Sequence, residues 1–294
     1  MSGWRLGDPV RNSASQTSAG AAPATRWWPL RSGVSGLPSN FEDREALIAF
    51  CRETFLEAAA VSDDVPPADQ AGALGGRAAA EARLANITPK TYARTRNRFD
   101  GDVTRLSAYL RHGVLALSEV RDVVLDRVGK SGGYKLINEL AWRDYFQRCL
   151  GRHGEAVRDN MEDWKTGLDD ADYTLELPDD IRDGTTGIGF IDDQARELVE
   201  TGYLHNQARM KVASYVVHFR RVHWSAGADW FHSHLLDGDL GSNHLSWQWV
   251  GSTFSAKPYI FNQENLDKWS GGRWHQKDSP FNASYEQITE RIFP

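Results

Sequence analysis

Residues 201–249 read TGYLHNQARMKVASYVVHFRRVHWSAGADWFHSHLLDGDLGSNHLSWQW, and this stretch decides the fold. Its first half places apolar side chains three or four positions apart, at Leu204, Ala208, Val212, Tyr215 and Phe219. That spacing follows the turn of an α-helix and predicts an amphipathic helix with one buried face. The start of the helix carries a cluster of side chains suited to binding: His205, Asn206, Arg209 and Met210.

The second half of the stretch combines a glycine-spaced acidic turn with two tryptophans. Asp237, Asp239 and Asn243 lie in and just after the turn, and Trp247 and Trp249 follow them. Residues two positions apart on a helix point in nearly opposite directions. We therefore expect the two tryptophans to have different surroundings.

The composition predicts a soluble protein of the reducing cytoplasm. The chain has 294 residues, enough to bury a core in one large domain or two small ones. No apolar run approaches the roughly 20 residues of a membrane span, and no signal-peptide pattern is visible. Two cysteines, Cys51 and Cys149, are too few for a disulfide scaffold or a cysteine-ligated cluster.

The negative charge is concentrated in one segment. The net charge is −6, but residues 155–183 contain 11 acidic and 3 basic residues. Removing that local −8 leaves +2 for the rest of the chain. The charge balance therefore permits a basic face for nucleic acid without predicting one.

Helical periodicity dominates the chain, while alternating strand patterns are nearly absent. Residues 1–40, rich in Ser, Ala, Gly and Pro, predict a flexible extension before a helical domain over 41–294. Helices are predicted over 45–59, 77–84, 104–128, 134–150, 191 to about 251, and 284–292. The acidic segment predicts a surface loop with short helices, and 258–274 an irregular segment. The predicted fold class is all-α.

Three common ligand-binding patterns do not fit this sequence. An EF-hand loop beginning at Asp237 needs Asp or Asn at its fifth position, Gly at its sixth and Glu at its twelfth. Those positions are Gly241, Ser242 and Gln248 in this sequence. Neither an HExxH motif nor paired cysteines suggest zinc, and no Gly-x-Gly-x-x-Gly follows a strand. We therefore expect no metal site and no Rossmann nucleotide site.

Five short motifs, in order, resemble the FAD-binding helical domain of the photolyases and cryptochromes. They are Thr104-Arg-Leu-Ser107, Asn138-Glu-Leu-Ala-Trp-Arg143, Thr186-Gly187 with Asp192, His205-Asn206 with Arg209, and Asp237-Gly-Asp239 through Asn243 to Trp249. The resemblance runs from about Tyr92 to Asn262 and implies FAD as the cofactor. Family members carry an N-terminal α/β antenna domain of which no pattern is visible here, so we expect a short photolyase-like protein without it.

The resemblance implies a set of cofactor contacts: Tyr92, Thr104, Arg105, Leu106, Ser107, Asn206, Arg209, Asp237, Asp239 and Asn243. The first five correspond to the segments that hold the FAD diphosphate, in part at a helix start, where the helix dipole favours an anion. Arg209 is the expected partner of Asp237 beside the flavin ring. Asn243 corresponds to the residue that faces flavin N5, and asparagine there resembles the repair enzymes.

The resemblance also implies substrate contacts: Glu139, Trp142, Arg143, Asn206, Met210 and Trp249. In the repair enzymes the matching glutamate hydrogen-bonds a cyclobutane pyrimidine dimer, and the matching tryptophans stack on it. A lesion that leaves the duplex stack needs such aromatic walls and polar groups. Candidate contacts to DNA phosphates are Arg94, Arg96, Arg98, Arg143, Lys211 and Arg273.

Trp247 and Trp224 correspond to the first two tryptophans of the chain that carries electrons to the photoexcited flavin. The third member stays open: Trp164 is offset in sequence, Tyr173 stands where the family places aromatics, and Trp230 is an alternative. We therefore assign Trp247 and Trp224, together with Glu139 and Asn243, to the reaction itself.

The expected function is light-driven repair of cyclobutane pyrimidine dimers in single- or double-stranded DNA, by a cytoplasmic enzyme associated with the nucleoid. The alternative is a cryptochrome-like blue-light photosensor, which needs the flavin and the tryptophans but not Glu139 or Trp249. A flavin-binding scaffold without photochemistry is a third possibility. A (6-4) lesion is less favoured, because those enzymes tend to place histidine where Asn206 stands. The sequence leaves the oligomeric state open.

Overall fold

The structure is a computed structural model that describes residues 40–54 and 75–294. The extension predicted over residues 1–40 lies almost wholly outside the described residues, so the domain boundary after residue 40 stays a prediction. The chain divides into two units, Met1–Asp64 and Val65–Pro294. The first contains one described helix, α1 (Arg44–Thr54), and the second contains every predicted site residue.

Helices make up nearly all the regular structure of the second unit. They are α2 (Arg77–Ala85), α3 (Pro89–Thr95), α4 (Ser107–Arg111), α5 (Leu117–His153), α6 (Asp179–Arg182), α7 (Gly189–Thr201), α8 (Asn206–Ser214), α9 (Trp224–His234), α10 (Leu240–Gly251), α11 (Gln263–Ser270) and α12 (Tyr285–Ile292). A π-helical turn, Tyr215–Phe219, continues α8. The only β pairing among the described residues is an isolated bridge between Thr174 and Val222. The predicted all-α class is confirmed.

Two predicted segments differ from the structure. The periodic stretch 104–128 forms the short α4, a turn at Gly113 with φ of 68°, and then α5, which runs on through a kink at Gly129. The stretch 258–274, predicted to be irregular, contains α11. Its first turn is capped by Asn262, whose Oδ1 accepts a hydrogen bond from Asn265 N at 2.9 Å. Asparagine is a favoured N-cap residue, so Asn262 is a signal in the sequence for the start of this helix.

Two buried clusters hold the second unit together. The larger is built on α7 to α10 and includes Trp224, Phe231 and Trp247. The smaller joins α2, α4 and α5 around Leu106, Val120 and Leu136. Both clusters lie directly beneath residues that the sequence assigns to a site, so the core fixes where those residues stand.

Close approach of two helix pairs depends on glycine. A Cβ at Gly227 of α9 would lie 2.3 Å from the Trp247 ring of α10. A Cβ at Gly241 of α10 would lie 2.9 Å from the Phe146 carbonyl oxygen of α5. Both distances are shorter than van der Waals contact, so only glycine allows α9 and α5 to pack this closely on α10.

Candidate flavin and lesion site

The acidic turn before α10 is held by charged partners from two other helices. The Asp237 side chain is only 9% exposed, and Nη2 of Arg209 on α8 lies 3.0 Å from each of its carboxylate oxygens, with hydrogen-bond geometry met at Oδ2. Asp239 is the N-cap of α10 and accepts a hydrogen bond from Ser242 N at 2.7 Å. The predicted pairing of Arg209 with Asp237 is therefore present in the structure.

Asp237 remains ionised in this buried position. Burial raises the pKa of its carboxyl, but the charge of Arg209 and hydrogen bonds from Ser107 and Arg209 outweigh that effect. The net result is a pKa below the ordinary value. The pair thus places a fixed negative charge beside a fixed positive charge under the surface.

The segment predicted to hold the diphosphate docks against the same turn. Arg111 Nε donates a hydrogen bond to the Gly238 carbonyl oxygen at 2.7 Å, and His112 Nε2 lies 2.9 Å from the Leu236 carbonyl oxygen. Leu106 is buried and caps the short helix α4. The structure therefore brings together Thr104–Ser107 and Asp237, which are far apart in sequence.

Arg105 has an unusual backbone conformation within this segment. Its φ is 50°, in the left-handed region that residues with a Cβ rarely adopt. Its guanidinium lies 4.3 Å from the centroid of the Tyr203 ring. Arg209 also faces that ring, at 5.9 Å. Two cations thus flank one aromatic ring next to the acidic turn, an arrangement that suits an anionic group such as a diphosphate.

Two buried polar atoms at the acidic turn lack a hydrogen-bond partner within the described residues, Asp237 Oδ1 and Ser242 Oγ. Buried polar atoms without partners are rare and indicate an absent ligand or water. The flavin ring, ribityl chain and adenine of FAD carry N–H and O–H groups from which these two oxygen atoms can accept hydrogen bonds. The donor and acceptor set therefore fits FAD.

The Asn243 side chain is held through its amide nitrogen. Its Nδ2 donates a hydrogen bond to the Ala228 carbonyl oxygen of α9 at 2.7 Å. This bond leaves the amide oxygen available to another donor. The residue predicted to face the flavin is thus oriented by the protein rather than by the cofactor.

Two of the predicted electron-transfer tryptophans are buried in the core. Trp247 is 2% exposed and Trp224 is 0% exposed. Trp247 packs on Gly227, less than one helical turn along α9 from Trp224. Nε1 of Trp224 donates a hydrogen bond to Asn160 Oδ1 at 2.7 Å, which ties this ring to the acidic segment.

The structure separates the candidates for the third aromatic. A Cβ at Gly251 would lie 3.3 Å from the Trp164 ring and 3.8 Å from Trp224 Cβ, so these two tryptophans flank one glycine. Trp164 stacks on Tyr173, with ring centroids 4.3 Å apart. Trp230 packs against Phe231 and His234 instead. This arrangement favours the Trp164–Tyr173 stack over Trp230 as the next member of the series.

Glu139 is held by two cations. Arg96 Nη2 lies 3.2 Å from Oε2, and Lys135 Nζ lies 2.8 Å from Oε1. Arg96 Nε also donates a hydrogen bond to the Tyr92 hydroxyl at 3.3 Å. The glutamate predicted to contact substrate and the tyrosine predicted to contact cofactor are therefore joined through one arginine.

The other predicted substrate contacts fall on three helices, α5, α8 and α10. Nδ2 of Asn206 lies 3.5 Å from the Met210 sulfur on α8, so these two contacts adjoin. Trp142 on α5 is 48% exposed and Trp249 on α10 is 40% exposed. Since Trp247 is buried, the expected contrast between Trp247 and Trp249 is confirmed.

The structure changes the interpretation of two cations. Arg143, predicted to contact substrate, lies 3.1 Å from Asp239 Oδ2, and Gln147 Nε2 donates a hydrogen bond to Oδ1 at 2.6 Å. Lys211, a candidate phosphate contact, is 0% exposed, so that prediction is wrong. Its Nζ donates a hydrogen bond to Gln207 Oε1 at 2.8 Å, and no carboxylate pairs with it among the described residues.

Replacing Lys211 by methionine is expected to stabilise the protein most near neutral and acidic pH. Burial lowers the pKa of Lys211 from 10.5 to about 7. Between about pH 7 and 10.5, Lys211 is protonated in the unfolded chain but neutral in the folded protein. The free energy of unfolding of the wild type therefore rises with pH over that window. Urea unfolding near pH 7 should show a gain of roughly 1–3 kcal/mol for Lys211→Met, after the cost of leaving Gln207 without its donor.

That gain should shrink as the pH rises toward the ordinary lysine pKa. Lys277→Met, at an exposed position, is the control and should show no such change with pH. A gain for Lys211→Met that does not depend on pH would mean that Lys211 titrates normally in the folded protein.

Several residues around the site were missed by the sequence interpretation. The sequence predicts a phosphate contact at Arg96, which instead pairs with Glu139, and the predicted site residues do not include Gln147 or Tyr203. The i, i+4 spacing of Gln147 from Arg143 places both on one face of α5 and is a usable signal. No local pattern connects Arg96 with Glu139, because the two residues lie on different helices.

Over residues 40–54 and 75–294, no helix is long and apolar enough to cross a membrane. No group of three or more His, Cys, Asp or Glu side chains in the same ranges is placed to hold a metal ion.

Parts of this chain are similar in sequence to DNA photolyases and cryptochromes. The family model for the FAD binding domain of DNA photolyase matches residues 136–276. A cryptochrome DASH of Gloeobacter violaceus is 34% identical over 173 residues, which cover 55% of this chain and 33% of that protein. A deoxyribodipyrimidine photo-lyase of Thermus thermophilus is 34% identical over 233 residues, 74% of this chain and 52% of that protein.

A solved photolyase structure is similar to this chain in fold. An archaeal photolyase from Sulfolobus tokodaii, solved with two FAD molecules, has a TM-score of 0.56 and 27% identity over 66% of this chain and 44% of that one. The chain thus spans only a third to about half of the length of these relatives. The predicted helical FAD-binding fold and the FAD cofactor are confirmed.

Proposed function

Because residues 136–276 match the family model for the FAD binding domain of DNA photolyase, we propose that this protein repairs cyclobutane pyrimidine dimers in DNA with light. The relatives are named both photolyase and cryptochrome DASH, so the family by itself is compatible with repair and with photosensing. The choice between the two rests on the residues around the flavin site.

The chain's own residues provide the cofactor site. FAD supplies light-driven one-electron transfer when it is bound. Asp237 and Arg209 orient the ring system, while Arg105 and the start of α4 hold the diphosphate. Asn243 offers an amide that does not titrate, so it can hydrogen-bond the ring without exchanging a proton with it.

The observation that carries the repair proposal is two half-exposed tryptophans: Trp249 on α10, which also bears Asn243, and Trp142 on α5, next to Arg143, the partner of Asp239. Trp142 and Trp249 are 48% and 40% exposed, although side chains this large are normally well buried. A flipped pyrimidine pair gains stacking energy from such surfaces. Two tryptophans left open to solvent on helices that carry predicted site residues suit a lesion better than they suit a sensor that binds no DNA.

Glu139 provides the polar part of the lesion site. Arg96 and Lys135 hold its carboxylate in place, and its side chain stays 27% exposed. It can therefore accept a hydrogen bond from a pyrimidine N–H while the adjacent cations hold negative charge that develops on the dimer. Asn206 and Met210 extend this surface on α8.

Removing the Trp249 ring is expected to weaken binding of a thymine-dimer oligonucleotide by about 10- to 100-fold, the usual loss for one stacked base. The measurement is a dark titration, by fluorescence anisotropy, of the dimer oligonucleotide and its undamaged counterpart. Tyr285→Ala removes a ring of matched exposure, 39%, and is the control. Equal affinity for damaged and undamaged strands would argue against the lesion site.

A photosensor is the second candidate, and one feature favours it. The series Trp247, Trp224 and the Trp164–Tyr173 stack runs from beside the acidic turn to a partly exposed ring without involving Glu139 or Trp249. That series would allow flavin photoreduction in a protein that binds no dimer. The titration separates the two functions, since only repair requires dimer binding.

A further inference from the structure

A cavity of about 300 Å³ lies beside the π-helical turn, apart from every residue assigned to the flavin or the lesion. Three arginines line it, Arg220, Arg221 and Arg291, together with His218. Phe219 and Pro280 supply apolar wall. The cavity thus combines cationic and apolar surface in a volume that suits a small organic molecule.

Only one of the three arginines is neutralised by a carboxylate among the described residues. Nη1 and Nη2 of Arg220 lie 2.8 and 3.0 Å from the two carboxylate oxygens of Asp180. Arg221 and Arg291 donate hydrogen bonds to the carbonyl oxygens of Ile292 and Pro280, which carry no charge. The cavity wall therefore has two cationic groups without an acidic partner.

Two buried atoms of the wall have no hydrogen-bond partner within the described residues: Arg221 Nη1 and His218 Nδ1. His218 is 1% exposed, and its Nε2 lies 3.0 Å from the Val250 carbonyl oxygen. Nε2 must donate that bond, so Nδ1 of the neutral ring is an acceptor. Since the Arg221 guanidinium also hydrogen-bonds the Tyr173 hydroxyl, the His218 acceptor is the clearer of the two groups left for a ligand.

The backbone also holds Arg221 in a costly conformation. Its φ is 54°, in the left-handed region that residues with a side chain rarely adopt. Pairing of its carbonyl oxygen with Thr174 N at 2.8 Å fixes the segment there. Arg105, at the predicted diphosphate segment, has a similar φ of 50°. Strain of this kind is often found where a side chain is held for binding.

From these observations we infer that the cavity beside the π-helical turn binds a small organic oxyanion, a phosphate or a carboxylate with an apolar body. Arg221 and Arg291 bind the anionic group, and Phe219 and Pro280 contact the apolar body. An O–H or N–H group on the ligand satisfies His218 Nδ1. The site is separate from the repair chemistry and does not rest on it.

Isothermal titration of the full chain with phenyl phosphate, benzoate and uncharged benzyl alcohol tests the inference. At least one of the two oxyanions should bind saturably, and benzyl alcohol should not. Stronger binding of phenyl phosphate would identify a phosphate ligand, and stronger binding of benzoate a carboxylate. Saturable binding of neither oxyanion would overturn the inference.

Variants locate the binding. Arg221→Gln and Arg291→Gln should each weaken the favoured oxyanion by roughly 10- to 100-fold, because each removes a charged hydrogen bond. Arg182→Gln, an exposed arginine paired with Asp179 and outside the cavity, should leave affinity unchanged. Circular dichroism establishes that each variant is folded. Unchanged affinity in both cavity variants, or an equal loss of affinity in Arg182→Gln, would overturn the inference. Displacement of the bound oxyanion by an undamaged oligonucleotide, at a concentration below that of the oxyanion, would also overturn it.

Discussion

Replacing Asp237 by alanine is expected to strip FAD from the purified protein. The carboxylate is buried and faces Arg209, whose Nη2 lies 3.0 Å from each carboxylate oxygen. Removing one partner of such a pair leaves an uncompensated charge and typically costs about 3–5 kcal/mol. If this free-energy cost falls on the FAD-bound state, affinity for FAD drops by about 150- to 5,000-fold.

The measurement is the ratio of flavin absorbance to protein absorbance after gel filtration, followed by titration of the stripped protein with FAD. Asp237→Asn, which keeps the shape but loses the charge, should give an intermediate affinity. Asp267→Ala, which removes the partner of His275 at 2.7 Å, controls for the loss of a partly buried acid elsewhere. Full flavin retention in a folded Asp237→Ala variant would remove this residue from the cofactor site.

Replacing Glu139 by alanine is expected to lower light-driven repair on the order of 100-fold, the usual loss when one preorganised polar group at a reacting centre is removed. The variant leaves Arg96 and Lys135 without the acid that pairs with both. Flavin content should stay close to that of the wild type, because Glu139 contacts the predicted cofactor residue Tyr92 only through Arg96. The measurement is the initial rate of dimer loss per flavin under constant illumination.

Asp144→Ala is the matched control for Glu139→Ala. Asp144 lies on the same helix and has an i, i+4 partner, Arg148 at 2.7 Å, as Glu139 has in Lys135. The control should repair dimers at the wild-type rate. Equal repair rates and equal dimer affinity in Glu139→Ala and wild type would show that the lesion does not bind there.

The central part of the site was predictable from sequence because its signals are local. The helical period of residues 204–219 predicts α8 and the turn that follows, and the glycine-spaced acids predict the start of α10. The opposite surroundings of Trp247 and Trp249 follow from helix geometry alone. The pairing of Arg209 with Asp237 came from family resemblance, and the structure contains it.

The remaining features depend on contacts between distant segments, which the sequence does not encode locally. Arg96 meets Glu139, and Arg143 meets Asp239, only because α3 and α10 both pack on α5. The burial of Lys211 also depends on distant segments. Its position next to Met210 suggests a phosphate contact, and nothing local indicates that it is buried. Its complete burial follows from how the helices around α8 pack.

The most direct test of the account is light-dependent loss of dimers. Protein with reduced FAD is mixed with a thymine-dimer oligonucleotide, single- or double-stranded, and the dimer is quantified by chromatography after illumination and after an equal time in the dark. The account predicts that dimers disappear only in the light, and much more slowly with Glu139→Ala. A bound flavin that photoreduces normally while dimers persist on both substrates would contradict repair and identify a photosensor.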